Sequence, residues 1–223
     1  MNFRYPIFLD VEGKRCLVTG AGPEIAAKIR TLASRGARVT YVNPTAEDAI
    51  ASLAAEGRIV WHARRFESAD LDGCLLVITD HEDNAEIFRL AEERNVPCNA
   101  VDDPAHCRFS FGSVVSRDDL TVAISTNGAA PALAVRLRQR LERELGEEYG
   151  QFLAMLGELR PEITRSLPDF ERRKALWYRM IDSEALDALR QGRPQEAHQL
   201  LRRLLEEAKQ EAAPDRVKDR AGT

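Results

Sequence analysis

Asp102 and the run Ser125-Thr126-Asn127 are the residues whose placement points most directly to chemistry. Each follows a short apolar segment. Cys98-Asn99-Ala100-Val101 leads into Asp102-Asp103-Pro104, and Thr121-Val122-Ala123-Ile124 leads into Ser125-Thr126-Asn127-Gly128-Ala129-Ala130-Pro131. Read as strands of an open parallel sheet, both segments deliver polar residues to carboxyl-terminal strand ends, where such folds bind ligands. A carboxylate there, partly desolvated by bound molecules, can act as a base; by type it is equally an ordinary turn residue before a proline. The hydroxyls ahead of a helix start at Pro131 suit a carboxylate or phosphate, and they suit helix capping as well.

A second constellation lies upstream. Gly20-Ala21-Gly22 follows an apolar run at 15–19 and precedes a stretch, 24–34, with Ile25, Ile29 and Leu32 at helical spacing and Gly36 as its C-terminal cap. Glycines in such a turn let the backbone approach a pyrophosphate, which then meets the free N–H groups and positive dipole end of the helix. The full fingerprint has a third small residue where this chain has Ile25, and Pro23 sits inside the loop. About 20 positions on, an acidic residue would bind the ribose; here the strand ends in Val42-Asn43-Pro44-Thr45. Asn43 can bond a ribose through its amide, and no arginine stands beside it for a 2′-phosphate, which favours NAD over NADP.

These groups need a scaffold, and the pattern supplies one. A lead-in strand at 6–9, strands at 15–19, 38–42, 59–61, 74–79 and 96–101, and helices at 24–34, 46–56 and 84–94 alternate as a doubly wound α/β fold requires. From 131 to 145, Leu133, Leu137, Leu141 and Leu145 recur every fourth residue among arginines, predicting an amphipathic helix. After Gly146 only helical patterns remain, at 149–159, 170–181, 185–189 and 194–208, with a frayed tail from Pro214.

Composition narrows the function. With 44% apolar and 30% charged residues among 223, the chain reads as globular, and a net charge of −4 disfavours a general nucleic-acid binder. Cys16, Cys74, Cys98 and Cys107 have no CxxC spacing and read as buried free thiols. His62, His81, His106 and His198 are dispersed and pair with no Cys or Glu at ligand spacing, so no metal site is predicted. His81 and His106 fall in loops at the same sheet edge, as substrate contacts or, more ordinarily, as exposed loop residues. The N-terminus has no signal-peptide pattern and no apolar run is long enough to span a bilayer, which places the chain in the cytoplasm by default, away from membranes.

Pro6-Ile7-Phe8-Leu9, Gly20-Ala21-Gly22, Cys98 to Pro104, Ala123 to Ala134 and Glu171-Arg172-Arg173-Lys174-Ala175-Leu176-Trp177 together resemble the precorrin-2 dehydrogenase and sirohydrochlorin ferrochelatase family of siroheme synthesis. The resemblance covers roughly residues 3–205, and without a methyltransferase module the chain looks like the stand-alone form. It implies a Rossmann-like NAD-binding domain at 1–115, a central strand-helix dimerisation segment at 116–146, an all-helical C-terminal domain at 147–210 and a tail at 211–223. It implies NAD-dependent oxidation of precorrin-2 to sirohydrochlorin, with insertion of ferrous iron (Fe2+) as a second activity of bifunctional members. Asp102 matches the family's essential aspartate, a general base in oxidation and in removal of pyrrole protons. Cofactor contacts then fall on Gly20, Gly22, Pro23, Glu24, Ile25, Asn43, Pro44, Thr79 and Asp80. Substrate contacts fall on Ser125, Thr126, Asn127 and Gly128, and we add Arg108, Arg117 and Arg136 as cations for the tetrapyrrole's carboxylate arms. The family is homodimeric, with helical domain and sheet meeting across the axis.

Two cofactor loops depart from the family pattern: the glycine loop is lengthened to Gly20-Ala21-Gly22-Pro23-Glu24-Ile25-Ala26, and Ile78-Thr79-Asp80-His81-Glu82-Asp83-Asn84 is one residue short. The competing expectations are a dehydrogenase of the same fold acting on another tetrapyrrole or small acid, and a non-catalytic nucleotide- or tetrapyrrole-binding module.

Overall fold

The computed structural model describes residues 5–212. The chain divides into two compact units, residues 1–111 and 112–223.

The first unit is a five-stranded parallel sheet in the order β3-β2-β1-β4-β5. Its strands are β1 (Arg15–Gly20), β2 (Arg38–Val42), β3 (Val60–His62), β4 (Leu76–Asp80) and β5 (Cys98–Ala100), connected in part by α1 (Pro23–Ser34), α2 (Asp48–Ala55) and α3 (Asn84–Glu93). The central strands are largely buried, as expected for a parallel sheet whose two faces are covered by helices, and their buried residues are mostly apolar. Cys16 and Val18 enter one core with Ile25 and Ile29 of α1 and Tyr41 of β2, while Leu17 turns into the other with Val77, Ile87 and Cys98. The chain builds outward from β1 through β2 to β3, then returns to place β4 on the other side of β1. That reversal makes the β1/β4 carboxyl ends the switch point where such sheets bind ligands.

Glycine is obligatory there. Gly20 has φ +108°, and a Cβ on it would lie 2.3 Å from the Asp80 carbonyl oxygen of the neighbouring strand. The pairing of β1 with β4 ends at this Gly20–Asp80 contact.

Two sequence expectations fail for a common reason, that a strand exists only where a neighbouring backbone receives it. Residues 6–9 form no strand: they are exposed and irregular, and Pro6 has no N–H to give an edge. Thr121 to Ile124 is extended, but not as part of the parallel sheet. It belongs to the second unit as β7 (Leu120–Ile124), antiparallel to β6 (Ser113–Arg117) through a turn at Asp118 and Asp119, with Asp118 left-handed at φ 48°.

The second unit continues with α4 (Pro131–Glu144), α5 (Glu148–Ser166), α6 (Phe170–Ile181), α7 (Ala185–Arg190) and α8 (Pro194–Ala212). Phe152, Leu156, Leu159 and Ile163 of α5, Leu176 and Met180 of α6, and Leu201 and Leu205 of α8 form its core. In α4 the buried residue is Ala134, whereas Leu133 and Leu137 are 52% and 39% exposed. The tail expected from Pro214 lies outside the described residues.

Candidate active site

The loop after β5 is held by several hydrogen bonds at the sheet's carboxyl edge. The Val101 N–H donates to Thr79 O at 2.8 Å and Asp103 N–H closes a turn onto Ala100 O, leaving Asp102 exposed at its apex with φ 54°. Left-handed backbone is uncommon outside glycine, although Asp and Asn accept it most readily, and it persists where surrounding structure fixes it. Here the fixing is visible. Asn99 Nδ2 donates to Phe109 O at 2.8 Å, the Cys107 thiol donates to Ala100 O at 3.1 Å, and Arg108 N–H returns to Cys98 O. Past Asp102, His106 Nδ1 and Asp103 Oδ2 share a 2.6 Å hydrogen bond, and the imidazole meets the Phe88 ring edge-on. The sequence pointed to Asp102 by its type and position, but not to Asn99 and Cys107 as the clamp that holds its loop.

The glycine loop fits a dinucleotide phosphate. Gly22 is the N-cap of α1 at φ 98° and ψ 170°, no side chain caps the helix, and a Cβ added at Gly22 meets nothing within 4 Å. An uncapped 12-residue helix with open space above its first turn offers N–H groups and the positive end of the macrodipole to an anion. The donors are the N–H groups of Glu24 and Ile25, since Pro23 has none. Ile25 contributes backbone alone, because its side chain is wholly buried, and Glu24 places an exposed carboxylate on the same turn.

At the end of β2, Asn43 is buried and its Nδ2 donates to Thr45 O at 2.7 Å, so its amide is partly committed; Pro44 beside it is exposed. At the end of β4, Asp80 is exposed, but Thr79 is buried with its hydroxyl donating to Asn84 Oδ1 at 2.9 Å, and that oxygen also receives His81 N–H. Thr79 therefore shapes the shortened loop instead of facing a ligand. His81 is exposed, and His106 alone of the two is tied to the Asp102 loop.

In the second unit, Ser125 and Thr126 hydroxyls accept from Asn127 N–H at 3.1 Å and Ala130 N–H at 3.4 Å, while Asn127 and Gly128 adopt positive φ. Each hydroxyl proton remains free to donate outward. Of the three arginines expected to meet carboxylates, two are already occupied. Arg108 pairs with Glu92 and lies over Phe88; Arg117 donates to Ser116 O and Glu142 O and lies 3.2 Å from the Glu147 carboxylate. Arg136 is exposed, with no ion pair among the described residues. Charge type was legible in sequence, whereas prior pairing was not.

Among the described residues no group of three or more His, Cys, Asp or Glu is placed to hold a metal ion, and no helix is long and apolar enough to cross a membrane. All four cysteines are free; burial, with the charge of Cys74 adding, pushes the Cys16 thiol up to about 11.

Family models match the chain in three consecutive stretches. A putative NAD(P)-binding region matches residues 7–113, a sirohaem biosynthesis protein central region 117–144 and a sirohaem synthase dimerisation region 148–205. Siroheme synthase of Thioalkalivibrio sulfidiphilus is 36% identical over 209 residues, covering 92% of this chain and 42% of that protein. Siroheme synthase of Pseudomonas aeruginosa is 35% identical over 199 residues, covering 88% and 43%. The chain thus spans less than half the length of these relatives. A solved structure named SirC, precorrin-2 dehydrogenase, superposes with a TM-score of 0.70 at 25% identity, covering 90% of this chain and all of that one. With the NAD(P)-binding, central and dimerisation regions matched in order along one chain, this protein belongs to the siroheme synthase and precorrin-2 dehydrogenase family.

Proposed function

We propose that the protein is an NAD-dependent precorrin-2 dehydrogenase of the cytoplasm, oxidising precorrin-2 to sirohydrochlorin for siroheme synthesis. The observation that carries this reading is Asp102, held at the apex of a clamped left-handed turn on the same sheet edge as the uncapped helix start at Gly22. The oxidation removes two hydrogens from precorrin-2. One leaves with both electrons to the nicotinamide, which is the chemistry the dinucleotide supplies, and the other leaves as a proton, which Asp102 accepts.

Each remaining residue has a binding task. The N–H groups of Glu24 and Ile25 hold a phosphate, and Gly22 keeps side-chain bulk away from it. Gly20, Asn43, Pro44, Thr79 and Asp80 form the rim, Gly20 and Thr79 by shaping the backbone and Asn43 by offering its side-chain oxygen to a ribose. Ser125, Thr126, Asn127, Gly128 and Arg136 supply donors and a cation suited to the carboxylate arms of a tetrapyrrole. In a second activity Asp102 takes the pyrrole N–H protons as ferrous iron, a substrate here, enters the macrocycle. A homodimer covers the exposed apolar side chains Leu133 and Leu137 of α4 and Phe170, Tyr178 and Ile181 of α6, the last three within the matched dimerisation region.

The test is an anaerobic assay with enzymatically generated precorrin-2 and NAD, following sirohydrochlorin absorbance. Wild type turns over, while Asp102→Asn loses about 10²- to 10⁴-fold in kcat and still binds NADH. A folded, NADH-binding wild type without turnover would refute the dehydrogenase and leave a binding module.

A further inference from the structure

Tyr41 occupies an unusual place for a tyrosine. It is 1% exposed in the core, yet its hydroxyl lies at the ends of β1 and β2. The hydroxyl donates to Gly20 O of β1 at 2.7 Å and lies 3.3 Å from Thr45 O in the loop after β2. The Asn43 side chain donates to the same Thr45 O at 2.7 Å. Trp61 of β3 completes the arrangement, with Nε1 donating to Asn43 O at 2.9 Å, while Asn43 N–H reaches His62 O. A phenylalanine would fill the same volume, so packing alone does not account for the hydroxyl.

The Gly20 carbonyl is the group this network controls. It sits at the entry to the glycine loop, where the next residues must turn N–H groups, not oxygens, toward an anion. An unsatisfied buried carbonyl seeks a partner, and one that swung toward the loop's mouth would present a lone pair to a phosphate. We propose that Tyr41 is the positioning residue of the dinucleotide site: its buried hydroxyl holds the Gly20 carbonyl inward and ties the glycine loop to the ribose-facing loop at Asn43. The inference rests on the NAD reading above and assigns the preorganisation of that site to one hydroxyl. Burial, reinforced by the Glu47 charge and opposed by the Asn43 side chain, pushes the tyrosine's titration upward, so it stays a donor through the neutral range.

Tyr41→Phe removes the hydroxyl and keeps the ring. NADH titration by fluorescence on the full chain is expected to show affinity falling about tenfold, the equivalent of one hydrogen bond of about 1.4 kcal/mol. In the precorrin-2 assay, KM for NAD rises in parallel, while kcat at saturating NAD and KM for precorrin-2 stay at wild-type values. A generally loosened structure would move all of these together. Trp61→Phe, which releases Asn43 O from β3, serves as a second variant and is expected to weaken NADH in the same direction. NADH binding unchanged in the folded variants, or precorrin-2 parameters falling with those for NAD, would overturn the proposal. Failure of wild type to bind NADH at all would instead overturn the NAD reading on which it depends.

Discussion

The two glycines of the loop after β1 do different jobs, and alanine at each position separates them. At Gly20 the alanine must accept φ +108°, which costs about 1–3 kcal/mol for a residue with a Cβ. Its Cβ would also stand 2.3 Å from Asp80 O and 2.9 Å from Asp80 N and C, all of them backbone atoms of the paired strand. Restoring ordinary contact moves β1 from β4 by roughly 1 Å, an overpacking strain of about 1–3 kcal/mol. The sum is about 2–6 kcal/mol, or a Tm lower by roughly 4–24 °C for a chain of this size. At Gly22 the backbone strain is similar, with φ 98° and ψ 170°, but the added Cβ meets nothing. Gly22→Ala therefore costs only about 1–3 kcal/mol of stability, while its methyl group fills the space left for a phosphate and NADH affinity falls at least about tenfold. Thermal melts by circular dichroism and NADH titration of both variants make the comparison. A Gly20→Ala protein melting within about 2 °C of wild type would refute the backbone contact at the switch point. Wild-type NADH affinity in Gly22→Ala would refute the seating of a phosphate at that helix start.

Two further outcomes follow from the packing. Burial alone would push the Asp70 carboxyl up, but Arg64, donating at 2.6 and 2.9 Å, and the Glu67 N–H at 2.9 Å hold it below the usual range. A carboxylate depressed in the folded state stabilises it above the unfolded pKa of about 3.9 and loses that contribution as pH falls through the folded value. Asp70→Asn is therefore less stable than wild type at pH 7, with the gap closing below about pH 4; denaturant melts showing a constant gap from pH 7 to pH 3 would refute this. In α5, Gly157 is exposed and a Cβ there meets nothing within 4 Å. Gly157→Ala should stabilise by about 0.5–1 kcal/mol through helix propensity, read as a Tm rise of roughly 1–4 °C; a fall would mean that this helix surface is covered in the assembly.

Sequence carried the sheet because each central strand of the first unit is buried on two faces and each connection is a helix. The apolar runs around Val18, Val39 and Ile78, separated by helical spacing, admit few arrangements besides the one observed. The strand at 38–42 and the helix at 170–181 match the structure at both ends. Where pattern failed, the deciding fact was a partner distant in sequence. Ile7 to Leu9 have strand composition but no receiving edge. The 121–124 segment has a receiving strand, but it is Ser113–Arg117, joined by a turn whose Asp118-Asp119 carries no glycine to announce it. Arg108 and Arg117 have the right charge for carboxylates and spend it on Glu92, Glu142 O and Glu147.

Asp102 shows why part of a candidate site escapes a reading by residue type. Its identity and its position after an apolar strand were visible, and the same two facts describe any acidic turn residue. What distinguishes it is a combination: a left-handed backbone, an exposed carboxylate and a loop held by Asn99, Cys107 and Arg108 N–H. The strain and the clamp are explained together if the carboxylate must stand at one fixed point above the sheet edge, which is what proton removal from a bound substrate requires and what mere loop closure does not.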